Sequence, residues 1–347
     1  MALGRSPRAG EPRTWSEPHV AVARSHLLGP WLYHELRNTP RPRVPESIIP
    51  DLRRDYLLSS LAAMEREAHL DEMLALFHSN GIQVVLLKGA YLGRVVYRNP
   101  ALRPMYDVDI LVPEDRYEQA GQLLASLGYT LQVDALHRFH RELNPALAYI
   151  HKSRPRDAVD LHHGLWFMDY YRLSPSIVRE EVVESRPPGR DPSYLSRELN
   201  FIHIALHNLT HADGLRDWLD LVLIVNHPDF RWNKLADLAQ SLGVLRPLYW
   251  TFRELSAHWG IIPPLHVVQA MAEYTPHWLE DRVIHHKLRY AWRIVSRVRS
   301  IDGRRAKLAY VRSGLFPSPA YREAVCGTTG WLPYVRAKLG LFLHFTR

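Results

Sequence analysis

The chain has 347 residues, 46% hydrophobic and 23% charged, which is ordinary for a globular protein and sufficient for two domains or for one domain with a large helical extension. Its single cysteine, Cys326, excludes an internal disulfide and indicates the reducing cytoplasm. No apolar run reaches the roughly 18 residues that span a bilayer, and the first 30 residues lack the apolar stretch of a secretory signal, so we expect no transmembrane segment.

The positive charge is concentrated towards the C-terminal end. The formal net charge is +8, but residues 47–280 carry a net charge of −6 and residues 281–347 a net charge of +11. A basic terminal region is typical of contacts with nucleic acid, anionic lipid or an acidic partner. The alternative is a bias of genome composition, because most of the cations are arginine.

The first 80 residues predict an arm followed by a long helix. Residues 1–46 are basic and begin with a stretch rich in Pro and Gly, so we expect a disordered or loosely ordered arm with a short helix at 26–36. From Ile48 to Asn80 apolar residues recur at helical spacing, and this helix should pack against a sheet. Its apolar positions are Leu57, Leu61, Met64, Ala68, Leu74 and Phe77.

A short apolar run then leads into a glycine turn. Residues 82–87 predict a buried strand, which ends at Lys88-Gly89, and residues 91–97 predict one or two helical turns. A strand that enters a helix through glycine presents free backbone N–H groups to an anion, and Lys88 adds a full positive charge. The alternative is an ordinary turn between a strand and a helix.

Two acids follow on one strand. In the run Tyr106 to Val112, side chains alternate between faces, so Asp107 and Asp109 point the same way while Val108 enters a core. Neighbouring carboxylates repel each other unless a cation lies between them, and a divalent metal is the usual cation. The alternative is a half-exposed strand that carries two surface acids.

A third acid lies on a later strand. The segments after residue 113 predict a helix at 114–127 and strands at 129–133, 146–150 and 158–161. Asp160 lies between apolar residues on the last of these strands, where a buried carboxylate without a partner is costly. Three acids on neighbouring strands would provide three oxygen ligands for Mg²⁺. His162 shares the face of Asp160, where it could make a hydrogen bond or contact the substrate.

The character of the sequence changes after residue 172. Residues 173–192 contain four prolines, so we expect a linker between a domain at 47–172 and a helical domain at 193–320, followed by a basic and apolar tail at 321–347. Hydrophobic periodicity predicts helices at 193–212, 215–225, 234–241, 244–259, 265–273 and 277–300.

Several of these features occur in the order known from one family. They are Lys88-Gly89, Tyr97, Arg103, Tyr106-Asp107-Val108-Asp109-Ile110-Leu111-Val112, Leu127-Gly128-Tyr129, Asp160-Leu161-His162, His203, His207 and Arg216-Asp217-Trp218-Leu219-Asp220-Leu221. Over roughly residues 50–320 the chain resembles the uncharacterised nucleotidyltransferase family of the polymerase-β-like superfamily.

The resemblance implies an α+β fold: a nucleotidyltransferase-type small mixed sheet with flanking helices in the catalytic domain, followed by a mainly helical C-terminal domain. It also implies that Asp107 and Asp109 hold two Mg²⁺ ions and that Asp160 completes the site. The reaction would be attack of an acceptor hydroxyl on the α-phosphorus of an NTP such as ATP, with pyrophosphate leaving. Asp160 as general base is an open alternative.

One position departs from the superfamily pattern. Most members carry Gly-Ser or Gly-Gly-Ser before the short helix, whereas this chain has Lys88-Gly89-Ala90 and lacks the serine hydroxyl. Our hypothesis is that Lys88 and the amides near Gly89 bind the β- and γ-phosphates. Arg103 is a second phosphate candidate, with an ordinary surface-loop arginine as its alternative.

Three histidines, His203, His207 and His211, recur every four residues on one predicted helix. A His-x3-His pair can bind zinc, but no neighbouring Cys or Glu completes a signature, so a substrate-facing or structural role is favoured. We interpret Asp217 and Asp220 as surface or capping acids of the following helix, with contact to the nucleobase or sugar of a nucleotide as the alternative.

The basic helix predicted at 277–300 places Arg289, Arg293 and Arg297 on one face. An ordinary packed helix with a solvated face is favoured over nucleic-acid or membrane binding, although the tail could lie on a membrane surface.

Two functional classes remain open at this stage. The first is an Mg²⁺-dependent enzyme that moves an NMP to an unidentified small molecule, sugar, peptide, protein or RNA end. The second is a non-catalytic nucleotide- or RNA-binding module on the same fold, which the missing serine and the basic tail would suit. Three acids close together favour catalysis, because a binding module has little use for them.

Overall fold

The computed structural model describes residues 15–38, 44–132, 145–167, 170–183, 192–211, 214–285, 289–301, 303–319, 322–323 and 327–336. Cys326 and the end of the predicted tail, residues 337–347, lie outside these ranges, as do residues 1–14 of the predicted arm and residues 184–191 of the predicted linker.

A seven-stranded mixed sheet forms the centre of the first half. Its strands, in spatial order, are β3 (Tyr129–Leu131), β4 (Ala146–His151), β5 (Ala158–His162), β2 (Asp107–Leu111), β1 (Val85–Leu86), β9 (Ser193–Leu195) and β8 (Val182–Val183). β2 runs parallel to β5 and β1 parallel to β9, while the other neighbours are antiparallel. A separate pair joins β6 (Trp166–Phe167) to β7 (Tyr171–Arg172).

Alternation along the central strands separates a core face from a polar face. Val108 and Ile110 of β2, with Val159 and Leu161 of β5, are buried in one hydrophobic cluster. Each such side chain contributes about 1.5–3 kcal/mol of transfer free energy when it leaves water. The residues between them therefore point to the opposite face, which is where the predicted acids lie.

Helices cover the core face of the sheet. They are α3 (Ile49–Ser79) and α5 (Tyr117–Ser126), and the short α4 (Lys88–Tyr91) continues into a π-helical turn at Leu92–Val96. The prediction that α3 packs against the sheet holds for its second half, where Met73 and Phe77 are buried in the core cluster. In its first half, Leu57, Leu61 and Met64 are 50%, 61% and 70% exposed. These apolar residues follow the same helical spacing, but no described element packs over them.

Between residues 15 and 38, the expectation of a disordered or loosely ordered arm is wrong for the first helix, and the short helix predicted at 26–36 is present with shifted bounds. This part forms helices α1 (Glu17–Ser25) and α2 (Gly29–Asn38). Leu32 is buried in a cluster with Leu52 of α3 and Leu219 of a later helix. Arg24 pairs with Asp55 at 2.6 Å, which fixes α1 to α3.

The expectation of a linker at 173–192 also fails where the structure describes it. Residues Pro175–Glu180 form helix α6, in which Val178 is buried, and Val182–Val183 form an edge strand of the sheet. Proline was taken as a sign of a linker, but Pro175 occupies the first turn of α6, where its missing N–H costs nothing. The helical half likewise begins with a strand of the same sheet, β9.

Helices make up the described remainder of the chain. They are α7 (Arg197–His211), α8 (Leu215–Val225), α9 (Trp232–Ser241), α10 (Leu245–Trp259), α11 (Leu265–Glu273), α12 (Glu280–His285), α13 (Arg289–Ser300) and α14 (Arg304–Leu315). α7 is central to this half, and its Phe201 ring stacks on Phe252 at 5.2 Å. Within the described ranges, no helix combines the length and the apolar character that crossing a bilayer requires.

The helix predicted at 277–300 is described as two helices, α12 and α13. Glu280, at the start of α12, is fully buried and accepts hydrogen bonds from the Tyr171 hydroxyl at 2.8 Å, the Tyr274 hydroxyl at 2.9 Å and the His277 amide at 2.6 Å. The bond from the His277 amide is the back-bond of a capping box, so Glu280 fixes the turn that leads into α12.

Candidate active site

The predicted acids meet on the face of the sheet opposite the core cluster. Asp109 on β2 lies directly beside Asp160 on β5 in the parallel register, and Asp107 lies two residues earlier on β2. Residues paired in this way share one face, so all three carboxylates rise from the same side. The predicted pairing of the two acidic strands is thus present.

Asp109 is the centre of a buried ionic cluster. Its Oδ1 is 2.6 Å from Nζ of Lys88 and 3.0 Å from Nε2 of His162. Burial alone would raise the pKa of Asp109, but Lys88 and His162 hold that pKa well below its usual range. Burial lowers the pKa of Lys88, and the charges of Asp109 and Asp107 reverse this effect and raise the pKa above its usual value.

The other two acids lack such close positive partners. Burial and the charge of Asp109 raise the pKa of Asp107, and burial with the charges of Asp109 and Asp107 raises the pKa of Asp160 to about 6. The three carboxylates face Lys88 at bonding distance, and the charge of Arg103, which is itself paired with Asp220, acts on Asp107 from farther away. The cluster therefore retains negative charge, which suits a bound divalent cation.

The donor atoms that lie closest together differ in part from the predicted set. Among the described residues, ligand atoms of Asp109, Asp160 and His162 fall within 4.8 Å of one another, and this is a geometry that could hold a metal ion. Asp107 is not in this group, although it lines the cleft beside Asp109. His162, for which a hydrogen bond or a substrate contact was expected, is buried and bonded to Asp109.

The predicted phosphate-binding turn lies against the acids. Lys88 begins α4 with a φ of +38°, a left-handed conformation that costs a non-glycine residue of order 1 kcal/mol or more. Its ion pair with Asp109 helps to hold this conformation. Gly89 is required by a close approach, because a Cβ at this position would lie 2.9 Å from Nη1 of Arg103.

Arg103 joins the two halves of the protein and is not a surface-loop arginine. It is buried, and its Nη2 lies 2.9 Å from Asp220 and 3.5 Å from Asp217. Asp220 also accepts a hydrogen bond from the Tyr97 hydroxyl at 2.8 Å and is fully buried, so its interpretation as a surface or capping acid is wrong. Burial lowers the pKa of Arg103, but Asp220 outweighs this effect and raises it.

A cleft of about 400 Å³ opens beside the acids. The catalytic-domain side supplies Lys88, Gly89, Arg103, Asp107 and Asp109, and the helical half supplies Ile204, His207, Asn208, Gly214, Arg216, Asp217 and Asp220. A volume of this size is typical of small-molecule sites. The cleft therefore runs from the carboxylates to the helical half.

The third wall of the cleft comes from the N-terminal helices, which the sequence did not indicate. Ser25, His26 and Leu27, in the turn between α1 and α2, line the cleft. Leu27 has a φ of +59°. The His26 ring packs against Gly214, since a Cβ at that position would lie 2.9 Å from Nδ1 of His26. No local motif marks this turn, because its role depends on contacts with residues about 190 positions away.

The two histidines predicted to face the substrate have different surroundings. His203 is fully buried against Phe167, with ring centroids 5.1 Å apart, and lies outside the lining of the cleft. Neither ring nitrogen of His203 has a hydrogen-bond partner within the described chain, and burial with the charge of Lys88 lowers its pKa well below the usual value. His207 lines the cleft, whereas the side chain of His211 is outside the described part.

Comparison with known proteins identifies the family. The model of the uncharacterised nucleotidyltransferase family matches residues 12–260, which include the N-terminal helices and the whole cleft. The chain belongs to this family and is an enzyme of the nucleotidyltransferase class, so the resemblance drawn from its motifs is confirmed.

Two further comparisons were made. The solution structure of an antibiotic-resistance factor, ANT(2'')-Ia, matches with a TM-score of 0.38 and 13% sequence identity, covering 56% of this chain and 99% of that one. A comparison with curated proteins finds no match.

Proposed function

We propose that this chain transfers an NMP from an NTP to a hydroxyl group of an acceptor molecule, with Mg²⁺ as its cofactor. The observation that carries the proposal is the meeting of Asp107, Asp109 and Asp160 on one face of two paired strands, with Asp107 and Asp109 lining a cleft. A buried cluster with excess negative charge is costly to folding, and a site for divalent cations explains its presence.

The donor set fits the metal. Asp107, Asp109 and Asp160 provide carboxylate oxygens, the ligands that Mg²⁺ prefers, and His162 orients Asp109 through the hydrogen bond at Oδ1. When bound, Mg²⁺ would supply positive charge to the triphosphate and lower the pKa of the attacking hydroxyl.

Residues on the same side of the cleft would bind the triphosphate. Lys88 and Arg103 are cations beside the acids, and Gly89 lets the Arg103 guanidinium approach the backbone closely. The Lys88 ammonium has three N–H donors and bonds Asp109 with one of them, so it could contact a phosphate while it stays paired with Asp109. Arg103 is held in a fixed orientation by Asp220, which would keep its remaining N–H donors in one place.

The acceptor would then enter from the helical half and the N-terminal turn. His207, Asn208 and Asp217 offer hydrogen-bonding groups there, and His26 faces them across the cleft. Such groups recognise a polar, hydroxylated molecule better than an apolar one. The identity of that molecule is not specified by these contacts.

The test follows pyrophosphate release with each of the four NTPs in the presence of Mg²⁺, together with labelling of the protein itself and of candidate acceptors. The double variant Asp107→Asn, Asp109→Asn should lose at least about a thousandfold in rate. Asp115→Asn provides a matched control, because Asp115 is an exposed acid with 81% of its side chain accessible. Activity that survives the double substitution would disprove the mechanism.

A second candidate function is a non-catalytic nucleotide-binding module, which the ion pair between Lys88 and Asp109 favours. A lysine that stays bound to Asp109 would compete with a metal for the same oxygen. In this case NTP would bind without pyrophosphate release, and binding would be independent of Mg²⁺. Calorimetric titration of NTP with and without Mg²⁺ separates the two functions.

A further inference from the structure

The helix α14 presents an apolar stripe to solvent. Leu308, Val311 and Leu315 are 70%, 40% and 58% exposed, and their spacing of three and four residues places them on one face. Single exposed leucines are common, but a continuous apolar stripe on one helix is a surface feature that calls for a partner.

The stripe continues beyond the end of α14. Phe316 and Trp331 stack with ring centroids 5.7 Å apart, and Nε1 of Trp331 donates a hydrogen bond to the Leu315 carbonyl at 3.0 Å. Both rings are substantially exposed, as is the neighbouring Leu332. Aromatic and aliphatic groups thus form one continuous patch, which we call the apolar patch: Leu308, Val311, Leu315, Phe316, Trp331 and Leu332.

Cations surround this patch. At 100° per residue, Lys307 lies on one flank of the stripe, Arg305 and Arg312 lie on the other flank, and Arg304 begins the stripe itself. All three arginines are exposed. In the segment 281–347, 14 Lys and Arg accompany 3 Asp and Glu, so little negative charge is available nearby.

We infer that the apolar patch and its flanking cations bind the surface of an anionic lipid bilayer. A bilayer interface accommodates both parts: leucine and aromatic side chains enter the boundary of the acyl chains, while Arg and Lys reach the headgroups. Nucleic acid would use the cations but would leave the apolar stripe in water, so lipid explains more of the surface. The binding would be peripheral, with α14 lying in the plane of the interface.

This inference is independent of the proposed reaction. None of the residues in the patch or on its flanks lines the cleft, so loss of membrane binding and loss of transfer activity are separable. If both hold, the enzyme would work next to a membrane.

The experiment sediments the full chain with vesicles. One set is phosphatidylcholine alone, and the other contains equal parts of phosphatidylcholine and phosphatidylglycerol. The chain should sediment with the anionic vesicles and only weakly with the neutral ones. Each arginine removed near the surface should weaken binding about fivefold, so Arg305→Gln with Arg312→Gln should weaken it roughly 25-fold.

Matched variants test the apolar part. Leu308→Ser with Leu315→Ser should weaken binding to anionic vesicles at least about tenfold. The control Ile262→Ser with Leu265→Ser changes two apolar residues that are 80% and 71% exposed elsewhere on the surface, and it should leave binding unchanged. Arg53→Gln with Arg54→Gln, on the exposed side of α3, controls for the loss of two charges.

Three outcomes would overturn the inference. The first is an equal effect on binding to anionic vesicles from the Leu308 and Leu315 variant and from its Ile262 and Leu265 control. The second is tight binding of single-stranded RNA with no sedimentation on vesicles, which would assign the surface to nucleic acid. The third is self-association that the leucine pair abolishes, measured by analytical ultracentrifugation in the absence of lipid, which would assign the patch to a second copy of the chain.

Discussion

The Lys88 ammonium lies 2.6 Å from Oδ1 of Asp109, so the lysine predicted to bind phosphate is paired with a predicted metal ligand. The pair is buried beside two further carboxylates, Asp107 and Asp160. Lys88 is therefore the main counter-charge of the cluster in the metal-free protein, and a bound cation would take over part of this role. The first two predictions follow from this relationship.

Lys88→Met should destabilise the metal-free protein far more than the metal-bound one. Without metal, Asp109 loses its closest cation while buried, and the free energy of unfolding should fall by about 3–5 kcal/mol. Saturating Mg²⁺ should recover much of this loss, because the ion supplies positive charge to the same carboxylates. Urea unfolding in EDTA and in Mg²⁺ measures both values.

Lys152→Met is the control for Lys88→Met, since Lys152 is exposed. Its effect should stay within about 0.5 kcal/mol in both buffers. If Lys88→Met loses the same free energy in EDTA and in Mg²⁺, metal and lysine do not share the site.

Asp160→Asn should stabilise the protein in EDTA. With its pKa raised to about 6, the Asp160 carboxyl favours the folded state most below its usual pKa of 3.8, and this contribution is lost as the pH rises through 6. At about pH 8 the ionised carboxyl is repelled by Asp107 and Asp109, so its removal should raise the free energy of unfolding by ~1–2 kcal/mol.

The pH and metal dependence check the prediction for Asp160→Asn. The gain should be largest near about pH 8 and should vanish below about pH 3, where the Asp160 carboxyl is neutral in both the folded and the unfolded state. Thermal unfolding with and without Mg²⁺ should also show that the variant loses the metal-induced rise in Tm. A variant less stable than the parent protein at about pH 8 in EDTA would contradict the repulsion between the acids.

Asp220→Asn should cost about 3 kcal/mol of unfolding free energy. The substitution leaves the buried Arg103 guanidinium without its closest carboxylate and weakens the contact with Tyr97. Replacing both partners, as in Arg103→Met with Asp220→Leu, should cost less than the sum of the single changes, since no buried charge remains unpaired. Denaturant unfolding of the four proteins in the cycle gives the coupling energy.

An exposed ion pair provides the comparison for this cycle. Arg54 lies 3.7 Å from Asp51 with 67% of its side chain accessible, and Arg54→Gln should change the unfolding free energy by less than about 1 kcal/mol. Equal costs for Asp220→Asn and Arg54→Gln would mean that the link between the two halves is solvated.

Leu32→Ala should destabilise the protein by about 2–4 kcal/mol. Leu32 is 2% exposed and packs with Leu52 and Leu219, so its truncation leaves a cavity between three helices. Val22→Ala, at a residue of α1 that is 50% exposed, should cost well under about 1 kcal/mol. Similar small effects of both substitutions would indicate that the N-terminal helices do not pack on the body of the protein.

The periodicity of the sequence predicted the structure correctly where a segment forms one regular strand or helix. The alternation from Asp107 to Ile110 predicted β2 and the shared face of its acids, and the apolar spacing at 265–273 predicted α11 to the residue. The third acid followed from the same reasoning, because an acid between apolar residues on a strand needs a partner.

Long-range contacts account for most of the errors. Arg103 and Asp220 are 117 residues apart, and neither position looks buried from its neighbours. The arm was predicted as disordered because its first 20 residues are rich in Pro, Gly, Ser and Arg, and the stability of α1 and α2 depends on packing against Leu52 and Leu219. Helical periodicity likewise cannot distinguish the covered half of α3 from its exposed half.

The position of β9 has a consequence for how the chain folds during synthesis. β1 has only two residues and is held between β2 and β9, and β9 is completed at Leu195. The central sheet therefore cannot add β9, or β8 which pairs with it, until Leu195 has left the ribosome. A fragment that ends near residue 172 would expose the unpaired edge of β1, which is a template for aggregation. The acidic strands thus reach their final environment only after synthesis of the helical half has begun.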